Sequence, residues 1–378
     1  MPGNERAIHD HEMWDVLVVG AGPAGSTAAR VAAENGASVL LIDRAQFPRY
    51  KTCGGGLTGV SLGYLPRAAL ATLEQQTRAV RFSRNGRSIV TRTAPTRFLG
   101  MIQRERFDQA LVDAAVAAGV TFADDVQLKS IDDAEHVTLE TTAGTLTARM
   151  VIGADGTNGR TGKYVGVDTG GVDLALEHEI ATPTGDTHWN DEVYLDWGPD
   201  AGTYAWMFPK AGLLTIGVIQ AKGSPDETRA YLDRWTAQLG LADGVIERSS
   251  GHLAQWRTDA SPLRRGNVVV TGDAAGLLDP FTREGISFAL RSGTWAGQAA
   301  ALGDLDGYVE RVRRDLGPEI SAGERLLRFF EKHPAIVHFL ISTPVGSRLF
   351  MRVCRGETTL GHVFGHRIVR IALRLFGG

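Results

Sequence analysis

The segment Asp15-Val-Leu-Val-Val-Gly-Ala-Gly-Pro-Ala-Gly25 decides the fold. Residues 16–19 are apolar and mostly β-branched, which is typical of a strand buried on both faces. Residues 24–34 are rich in alanine and predict a helix that ends at Gly36. Residues 38–42 predict a second buried strand. Together they form one βαβ unit, whose strands are parallel because the helix crosses a face of the sheet.

Three glycines lie between the first strand and the helix in the order Gly-x-Gly-x-x-Gly. Gly20 permits the tight turn, Gly22 lets the backbone approach a diphosphate, and Gly25 lets helix and strand pack closely. The helix N-terminus can bind the anion through its free N–H groups and its dipole. Asp43 ends the second strand, where its carboxylate can accept hydrogen bonds from a ribose. The motif predicts a dinucleotide site and leaves open whether the dinucleotide is NAD or FAD.

Further along the chain the strand pattern changes. Residues 150–152 and 267–270 again predict buried strands, whereas residues 173–221 alternate in a way typical of an antiparallel sheet. We therefore expect an α/β fold in which a Rossmann-like dinucleotide-binding lobe carries an inserted, mainly antiparallel substrate domain and a helical C-terminal region. The expected boundaries are 12–75, 100–170 and 262–320 for the lobe, 76–99 and 171–261 for the inserted domain, and 321–378 for the C-terminal region.

The composition fits a globular protein and argues against several other classes. The chain has 378 residues, of which 43% are hydrophobic and 22% charged. Its net charge of −3 argues against a nucleic-acid-binding protein. Only Cys53 and Cys354 occur, so a disulfide framework is excluded and a reducing cytoplasm is expected. The N-terminal residues lack the apolar core of a signal peptide, and no apolar run reaches the roughly 18 residues of a membrane-spanning helix.

The histidines show no pattern typical of a metal site. His362 and His366 have the spacing of two ligands on one helical face, but no acidic residue or cysteine accompanies them locally. We therefore expect no bound metal.

The last 58 residues carry nine Lys and Arg against three Glu. Arg367, Arg370 and Arg374 fall on one face of a predicted helix, which is typical of a helix that lies on an anionic membrane surface. An ordinary C-terminal helix docked on the protein is the alternative. The sequence thus predicts a cytoplasmic protein and leaves open a peripheral contact with the cytoplasmic face of a membrane.

A second set of motifs lies later in the chain. Within residues 268–286, Gly272-Asp273 follows a buried strand and Gly285-Ile286 opens a helix. This arrangement resembles the second flavin-binding motif of the p-hydroxybenzoate-hydroxylase-type FAD fold. Arg104-Glu-Arg-Phe-Asp108 and Gly153-Ala-Asp-Gly156 are similar to further motifs of that fold.

The resemblance implies that FAD is the cofactor. It places Asp273 on the ribityl chain, Arg104 near the cofactor, and the helix that starts near Gly285 at the pyrimidine edge of the flavin. A positive helix end there would stabilise the negative charge of reduced flavin. One departure is the loop 157–160, where members of this fold usually have a serine.

Two further segments narrow the family. Cys53-Gly-Gly-Gly-Leu57 resembles the Cys-Gly-Gly loop of the geranylgeranyl reductase family, and Tyr204-Ala-Trp-Met-Phe-Pro-Lys210 resembles its YxWxFPK box. Members of this family saturate isolated C=C bonds in polyprenyl chains of chlorophyll precursors, archaeal ether lipids and some quinones. With the nucleotide motifs, the resemblance covers residues 14–300 and implies an FAD-dependent reductase with an apolar polyprenyl substrate.

The resemblance also implies roles for individual residues. An uncharged chain must bind through buried apolar area, at roughly 25 cal/mol per Å². Cys53 is expected beside the flavin, where its thiol orients the substrate or supplies a proton; a small buried apolar residue is the alternative. The expected substrate contacts are Tyr204, Trp206, Phe208 and Pro209, with core packing as the alternative. The expected FAD contacts are Gly20, Gly22, Ala24, Gly25, Asp43, Arg44, Gly54, Gly55, Leu57, Arg104, Val126, Asp155, Asp273, Gly285 and Ile286.

Two other functions are considered. A flavin monooxygenase or halogenase that acts on an aromatic compound would share the fold. Halogenases, however, carry a WxWxIP box, and this chain has Tyr204 in place of its first Trp and Phe208 in place of its Ile. A prenyl-binding escort resembling the Rab GDP-dissociation inhibitors would not need the flavin contacts that this chain retains. The electron donor is left open between NADPH or NADH and reduced ferredoxin.

Overall fold

The computed structural model describes residue 8 and residues 12–183, 185 and 189–365. The strands are β1 (Trp14–Val19), β2 (Val39–Ile42), β3 (Gly56–Leu57), β4 (Gln75–Thr77), β5 (Ala79–Arg84), β6 (Arg87–Thr93), β7 (Leu99–Met101), β8 (Thr121–Ala123), β9 (Leu128–Asp133), β10 (Val137–Thr141), β11 (Gly144–Gly153), β12 (Thr169–Ala181), β13 (Glu192–Trp197), β14 (Tyr204–Lys210), β15 (Leu213–Ala221), β16 (Ile246–Arg257), β17 (Arg264–Arg265) and β18 (Val268–Val270). The helices are α1 (Pro23–Glu34), α2 (Gly59–Leu62), α3 (Arg67–Leu70), α4 (Arg104–Ala117), α5 (Arg160–Val165), α6 (Pro225–Gln238), α7 (Ile286–Leu302), α8 (Leu305–Asp315), α9 (Gly317–Lys332), α10 (Pro334–Ser342), α11 (Pro344–Cys354) and α12 (Leu360–Gly365), with a 3₁₀ turn at Gly272–Ala275.

The first sheet has the strand order β17-β18-β11-β1-β2-β8, and β10 and β9 extend it beside β11. Strand β1 pairs in parallel with β2 and with β11, and β11 pairs in parallel with β18. Val16, Leu17 and Val18 have no exposed surface, because other elements cover both faces of this sheet. The apolar run in the sequence is therefore explained by burial on both sides.

Helices α1 and α7 pack closely against each other. A Cβ on Gly293 would lie 2.3 Å from the carbonyl oxygen of Ala24, and a Cβ on Gly297 would lie 2.3 Å from that of Ala28. The two glycines of α7 thus let its backbone touch that of α1. This contact brings the start of α7 next to the turn after β1.

The second sheet has the order β16-β12-β15-β14-β13-β5-β6. Its pairs are antiparallel except for β13 with β5, which are parallel. Strands β5 and β6 come from residues 79–93 and the others from residues 169–257. Every strand of the first sheet comes from the remaining chain segments. A small sheet of β3, β7 and β4 lies where the two sets of segments meet along the chain.

Helices α9, α10 and α11 pack on the second sheet. The ring of Phe330 contacts Trp197 at 5.3 Å between centroids, and the ring of Phe350 contacts Phe82 at 5.3 Å. Arg92 on β6 donates a hydrogen bond of 2.7 Å to the carbonyl of Ser342. Arg367, Arg370 and Arg374, and the amphipathic helix predicted around them, lie outside the described residues.

The α/β fold with an inserted, mainly antiparallel sheet and a helical C-terminal region is confirmed. Among the described residues, no helix is both long and apolar enough to cross a bilayer. The same part of the chain holds no group of three or more His, Cys, Asp or Glu side chains placed to bind a metal ion.

Candidate active site

One large cavity, of about 1730 Å³, lies between the first sheet, the second sheet and the C-terminal helices. Pockets for one small ligand measure roughly 300–1,000 Å³, so this cavity has room for two ligands side by side. The predicted site residues that line it are Gly20, Gly22, Ala24, Asp43, Arg44, Cys53, Gly54, Gly55, Arg104, Val126, Asp155, Tyr204, Trp206, Phe208, Asp273, Gly285 and Ile286. Gly25, Leu57 and Pro209 are not among its lining residues.

Glycines build the turn between β1 and α1. Gly20 has a φ of 102°, and a Cβ there would lie 2.3 Å from the carbonyl oxygen of Ala154. A Cβ on Gly25 would lie 1.8 Å from the carbonyl oxygen of Gly20, so Gly25 packs behind the turn and does not face the cavity. The Cβ position of Gly22 has only Arg49 Nη2 near it, at 3.5 Å. Since no side chain caps α1, its N-terminus is open toward the cavity.

Asp43 fixes this turn from the end of β2. Its Oδ2 accepts a hydrogen bond of 2.7 Å from the amide of Ala21, and its Oδ1 accepts one of 2.9 Å from the amide of Ala45. A carboxylate oxygen can accept a second hydrogen bond. Asp43 therefore holds the turn and keeps acceptor capacity for a ligand hydroxyl. Arg44 and Val126 line the cavity beside it.

Two arginines share one buried carboxylate. Asp108 has no exposed surface, accepts two hydrogen bonds of 2.8 Å from Arg104, and lies 3.0 Å from Nη2 of Arg49. Burial alone would lower the pKa of Arg104, but the Asp108 carboxylate raises it above its usual range. Nη1 of Arg49 is buried without a hydrogen-bond partner among the described residues. The pair thus leaves net positive charge beside the open end of α1.

Asp273 lies in the 3₁₀ turn after β18, and Gly285 is the N-cap residue of α7. A Cβ on Gly285 would lie 3.3 Å from Oδ1 of Asp273, so the two segments meet in the cavity wall. Gly272 has a φ of 54°, and a Cβ there would lie 2.8 Å from that of Ala24. The turn therefore packs directly on α1. The fold brings this late motif beside the glycine turn at the start of the chain.

Lys51 and His252 are two cavity residues that the sequence did not reveal. Nε2 of His252 lies 3.6 Å from Oδ2 of Asp273. Burial lowers the pKa of His252, and burial together with the charge of Arg104 lowers the pKa of Lys51 to about 8. Burial would raise the pKa of Asp273, but His252, Lys51 and Arg104 together hold it below its ordinary value. No sequence motif marks either residue, because both meet Asp273 only in the folded chain.

Glu177 on β12 anchors the loop that carries Cys53. Its Oε1 accepts a hydrogen bond of 2.8 Å from the amide of Cys53 and one of 3.1 Å from the hydroxyl of Tyr50. Glu177 is 1% exposed, and burial raises its pKa. The sulfur of Cys53 accepts a hydrogen bond of 3.4 Å from the amide of Gly55. The same side chain interacts with Arg104 and, after Asp108, helps to raise the pKa of that arginine. Cys53 therefore lies in the cavity wall, where the second sheet meets the arginine pair.

The glycines after Cys53 pack under the aromatic side chains of β14. A Cβ on Gly54 would lie 3.1 Å from the Phe208 ring and 3.1 Å from Nε1 of Trp206, and a Cβ on Gly56 would lie 3.3 Å from Phe208. The missing side chains at Gly54 and Gly56 therefore make room for these rings, and both glycines line the cavity beside Phe208. Leu57 is 1% exposed and packs in a separate apolar cluster, which is why it does not reach the cavity.

Strand β14 presents its aromatic residues to the cavity. Tyr204, Trp206 and Phe208 line it, whereas Pro209 lies on the opposite face because successive side chains of a strand alternate. This placement differs from the expected substrate contact of Pro209. The hydroxyl of Tyr204 donates a hydrogen bond of 2.6 Å to the carbonyl of Thr282. Nε1 of Trp206 is buried without a hydrogen-bond partner among the described residues.

Asp155 holds the start of α5. Its Oδ2 accepts a hydrogen bond of 3.1 Å from the amide of Thr161, and its Oδ1 accepts one from the Thr161 hydroxyl. Burial raises the pKa of Asp155. In the unusual loop before α5, the hydroxyl of Thr157 donates a hydrogen bond of 3.1 Å to the carbonyl of Leu253 on β16. The loop thus ties the first lobe to the second sheet.

The far end of the cavity is apolar and includes many residues that the sequence analysis did not single out. They come from the second sheet, from the loop before α7, and from the helices of the C-terminal region. The apolar spacing of residues 326–353 could have indicated their buried faces. These additional lining residues include Val193, Leu195, Trp197, Ile219, Leu278, Phe281, Leu326, Phe329, Ile336, Leu349, Phe350 and Val353.

The residues at the polar end fit a dinucleotide such as FAD. The open end of α1 and the unpartnered Nη1 of Arg49 offer donors to a diphosphate. Asp43 offers acceptor capacity to a ribose, and Asp273 offers a carboxylate to a further hydroxyl. The glycines at 20 and 22 keep side chains out of the space that the diphosphate needs.

Comparisons with known proteins agree with this chemistry. The family described as FAD binding domain matches residues 13–297 of the chain. The chain is 30% identical over 319 residues to the digeranylgeranylglycerophospholipid reductase of Thermoplasma volcanium, covering 76% of this chain and 78% of that protein. It is 28% identical over 335 residues to the chloroplastic geranylgeranyl diphosphate reductase of Oryza sativa subsp. japonica, covering 82% of this chain and 71% of that protein. A solved structure of a geranylgeranyl bacteriochlorophyll reductase-like protein from Thermoplasma acidophilum matches with a TM-score of 0.77 at 22% identity, covering 90% and 96%.

The fold, the polar end of the cavity and these matches define an FAD-dependent oxidoreductase. Within that class the chain belongs to the geranylgeranyl reductase family, as the Cys53 loop and the box at residues 204–210 predicted. Because members of this family are enzymes, the result argues against the alternative of a non-catalytic prenyl-binding escort. A solved flavin-dependent brominase also matches, with a TM-score of 0.76 at 19% identity over 96% of this chain and 99% of that one, which shows a shared fold.

Proposed function

We propose that this protein saturates isolated C=C bonds of a polyprenyl chain carried by a lipid, a quinone or a terpenoid. The observation that supports the proposal is the composition of the large cavity. Arg49, Arg104, Asp43 and Asp273 line one end, and aromatic and aliphatic side chains line the other. A dinucleotide and a hydrocarbon chain therefore have adjoining places in one space.

The apolar end gives a hydrocarbon substrate its affinity and its orientation. Tyr204 and Phe208 are rigid side chains with few rotamers, so they can hold a chain at low entropic cost. An isolated alkene has no oxygen to polarise, so exclusion of water and orientation must carry much of the catalysis. When bound, FAD would supply hydride from its reduced form.

The second hydrogen must arrive as a proton. Cys53 is the residue that we propose for this step, because its thiol lies in the cavity wall next to Arg104 and close to the aromatic residues of β14. The backbone amide of Cys53 is held by Glu177, and the thiol lies 3.4 Å from the amide of Gly55. A role in orienting the substrate is the alternative for the same side chain.

An external reductant must restore the cofactor. One dinucleotide motif is recognisable in the sequence and FAD would occupy it, so we propose that NADPH, NADH or reduced ferredoxin binds transiently at the surface. We also propose that the protein works in the cytoplasm at the surface of a membrane, where polyprenyl lipids are found.

Mass spectrometry of products tests the proposed reaction. The purified protein, loaded with FAD and reduced chemically without oxygen, is incubated with detergent-dispersed geranylgeranyl compounds of each class. Saturation adds the mass of two hydrogen atoms for each bond. A product that gains oxygen or halogen in air, with no saturated product, would instead support the monooxygenase or halogenase that the shared fold allows.

A further inference from the structure

We propose that the corner between α10 and α11 docks on an anionic phospholipid membrane and opens the cavity to lipid there. This inference rests on the proposed function for its substrate, but the surface itself is defined by exposure and charge. We call Phe339, Leu340, Pro344 and Val345 the apolar corner.

The apolar corner is unusually exposed. Phe339 is 67% exposed, Leu340 52% and Val345 73%. Nine large apolar side chains are strongly exposed in the described part of the chain, and three of them lie within residues 339–345. Scattered exposed apolar residues are normal, whereas a cluster of them marks an interaction site.

The backbone of the corner is tightly built. A Cβ on Gly346 would lie 2.0 Å from the carbonyl oxygen of Leu340, so the start of α11 touches the end of α10. The hydroxyl of Thr343 caps α11 by accepting a hydrogen bond of 3.0 Å from the amide of Gly346. On the inner side, His338 contacts the carbonyl of Ser88 at 2.9 Å. The corner is therefore a fixed protrusion whose inner side is held against the second sheet.

The segment of chain that carries the corner is basic. Residues 332–356 contain Lys332, Arg348, Arg352 and Arg355 and no Asp or Glu. Arg348 is exposed on α11 and forms no ion pair among the described residues. Arg352 and Arg355 both contact Glu357, which lies just outside this segment. A protruding apolar surface beside exposed arginine is the chemistry that an anionic bilayer surface recognises.

The corner is also the rim of the cavity. Phe339, Leu340 and Val345 line the same space as Asp273 and Tyr204. An exposed side chain that also lines a cavity must lie at its mouth. A hydrocarbon chain could therefore pass from a bilayer into the cavity without exposing its CH₂ groups to water.

Vesicle flotation tests the proposal with the full chain. Vesicles of phosphatidylcholine alone are compared with vesicles that also contain phosphatidylglycerol. We expect the protein to float with the anionic vesicles. The triple variant Phe339→Ser, Leu340→Ser, Val345→Ser should lose about tenfold or more of the partitioning. Arg348→Glu should lose about fivefold or more, with greater loss at low salt.

Two matched variants control for general effects. Val245→Ser removes an equally exposed valine (70%) from another part of the surface, and Lys129→Glu reverses an exposed charge on β9. Neither should change flotation. Loss in these controls equal to that in the corner variants would overturn the proposal, as would a wild-type protein that does not float. If sedimentation instead shows a dimer that the triple variant dissociates, the corner is an interface between copies and the proposal is also overturned.

The reaction assay separates this proposal from the proposed function. Arg348 does not line the cavity, so the Arg348→Glu variant should saturate detergent-dispersed substrate at the wild-type rate and vesicle-embedded substrate more slowly. Equal rates in both forms would contradict the docking proposal alone. Absence of saturation by the wild-type protein in either form would contradict the proposed function, while the flotation result would still stand on its own.

Discussion

Nε2 of His252 lies 3.6 Å from Oδ2 of Asp273, and this contact joins β16 of the second sheet to the turn after β18 of the first. The late flavin motif is therefore held by a residue of the inserted domain. Because His252 and Lys51 help to keep the pKa of Asp273 low, the carboxylate stays ionised and can accept hydrogen bonds from a cofactor hydroxyl.

Asp273→Asn should weaken FAD binding. The amide retains one acceptor oxygen but loses the charge, and a hydrogen bond to a charged group contributes about 1.5–3 kcal/mol. We expect an increase in the Kd for FAD of about 10- to 100-fold, measured by flavin fluorescence titration. Asp306→Asn, on an aspartate that is 83% exposed, is the control. Stoichiometric FAD at unchanged affinity would contradict the assignment of Asp273.

Lys51→Gln should stabilise the FAD-free protein at neutral pH. Burial lowers the pKa of Lys51 from 10.5 to about 8, so the unfolded chain binds this proton more tightly than the folded chain. The wild-type free energy of unfolding should therefore rise between pH 8 and pH 10.5. The variant should gain about 1–3 kcal/mol below pH 8 and nothing above pH 10.5. Urea denaturation across this range checks the result, with Lys129→Gln as the exposed control, and a gain that does not depend on pH would refute the explanation.

Glu177→Ala should release the Cys53 loop. Removing the carboxylate leaves the amide of Cys53 without its partner, at a cost of about 1–3 kcal/mol. Alkylation of Cys53 should become faster, because the loop opens more often. Mass-spectrometric alkylation kinetics and chemical denaturation are the measurements. Glu247→Ala, on the exposed part of β16, should change neither quantity. An unchanged alkylation rate would show that Glu177 is not the anchor.

Gly25→Ala should damage the nucleotide turn, although Gly25 does not line the cavity. Its Cβ would lie 1.8 Å from the carbonyl oxygen of Gly20, so helix α1 must shift. We expect a loss of about 2–3 kcal/mol in the free energy of unfolding and weaker FAD binding. Gly317→Ala is the matched control, since no atom lies within 4 Å of its Cβ position. Equal stability of the two variants would be inconsistent with the packing described for Gly25.

A Cys53 series tests the proton step. Cys53→Ala should retain FAD and lower the rate of C=C saturation by about 100-fold or more, as the loss of a general acid does. The saturation rate of Cys53→Ser should lie between those of the wild-type protein and Cys53→Ala, because a hydroxyl can still donate a proton. FAD content, read from absorbance, shows that the site is intact. Wild-type rates in both variants would mean that Cys53 is only a small apolar residue of the wall.

The nucleotide end of the site was predictable because it is local. Residues 15–43 contain the strands, the glycine turn and the acidic residue in one continuous unit, so spacing alone specifies their geometry. The motif around Asp273 was recognisable through its own strand, turn and helix. In both cases the backbone conformation, and not a distant contact, decides where the side chain lies.

The rest of the site depends on contacts between distant segments. Glu177 meets Cys53, and His252 meets Asp273, only after the second sheet docks on the first lobe. The packing of Gly54 depends on the same kind of contact, since the rings of Trp206 and Phe208 that lie against it come from β14. Pro209 was assigned from a motif without regard to strand alternation, which places it opposite Phe208.

The parallel pairing of β18 with β11 has a consequence for synthesis on the ribosome. Residues 151–153 of β11 pair on one side with residues 268–270 of β18. That side of β11 therefore stays unpaired until β18 has been synthesised. A nascent chain that has emerged only as far as the second sheet therefore exposes an apolar, unpaired strand and lacks the turn with Asp273. Such an edge is prone to aggregation, so we expect slow synthesis of the segment up to residue 270 to lower the yield of folded protein.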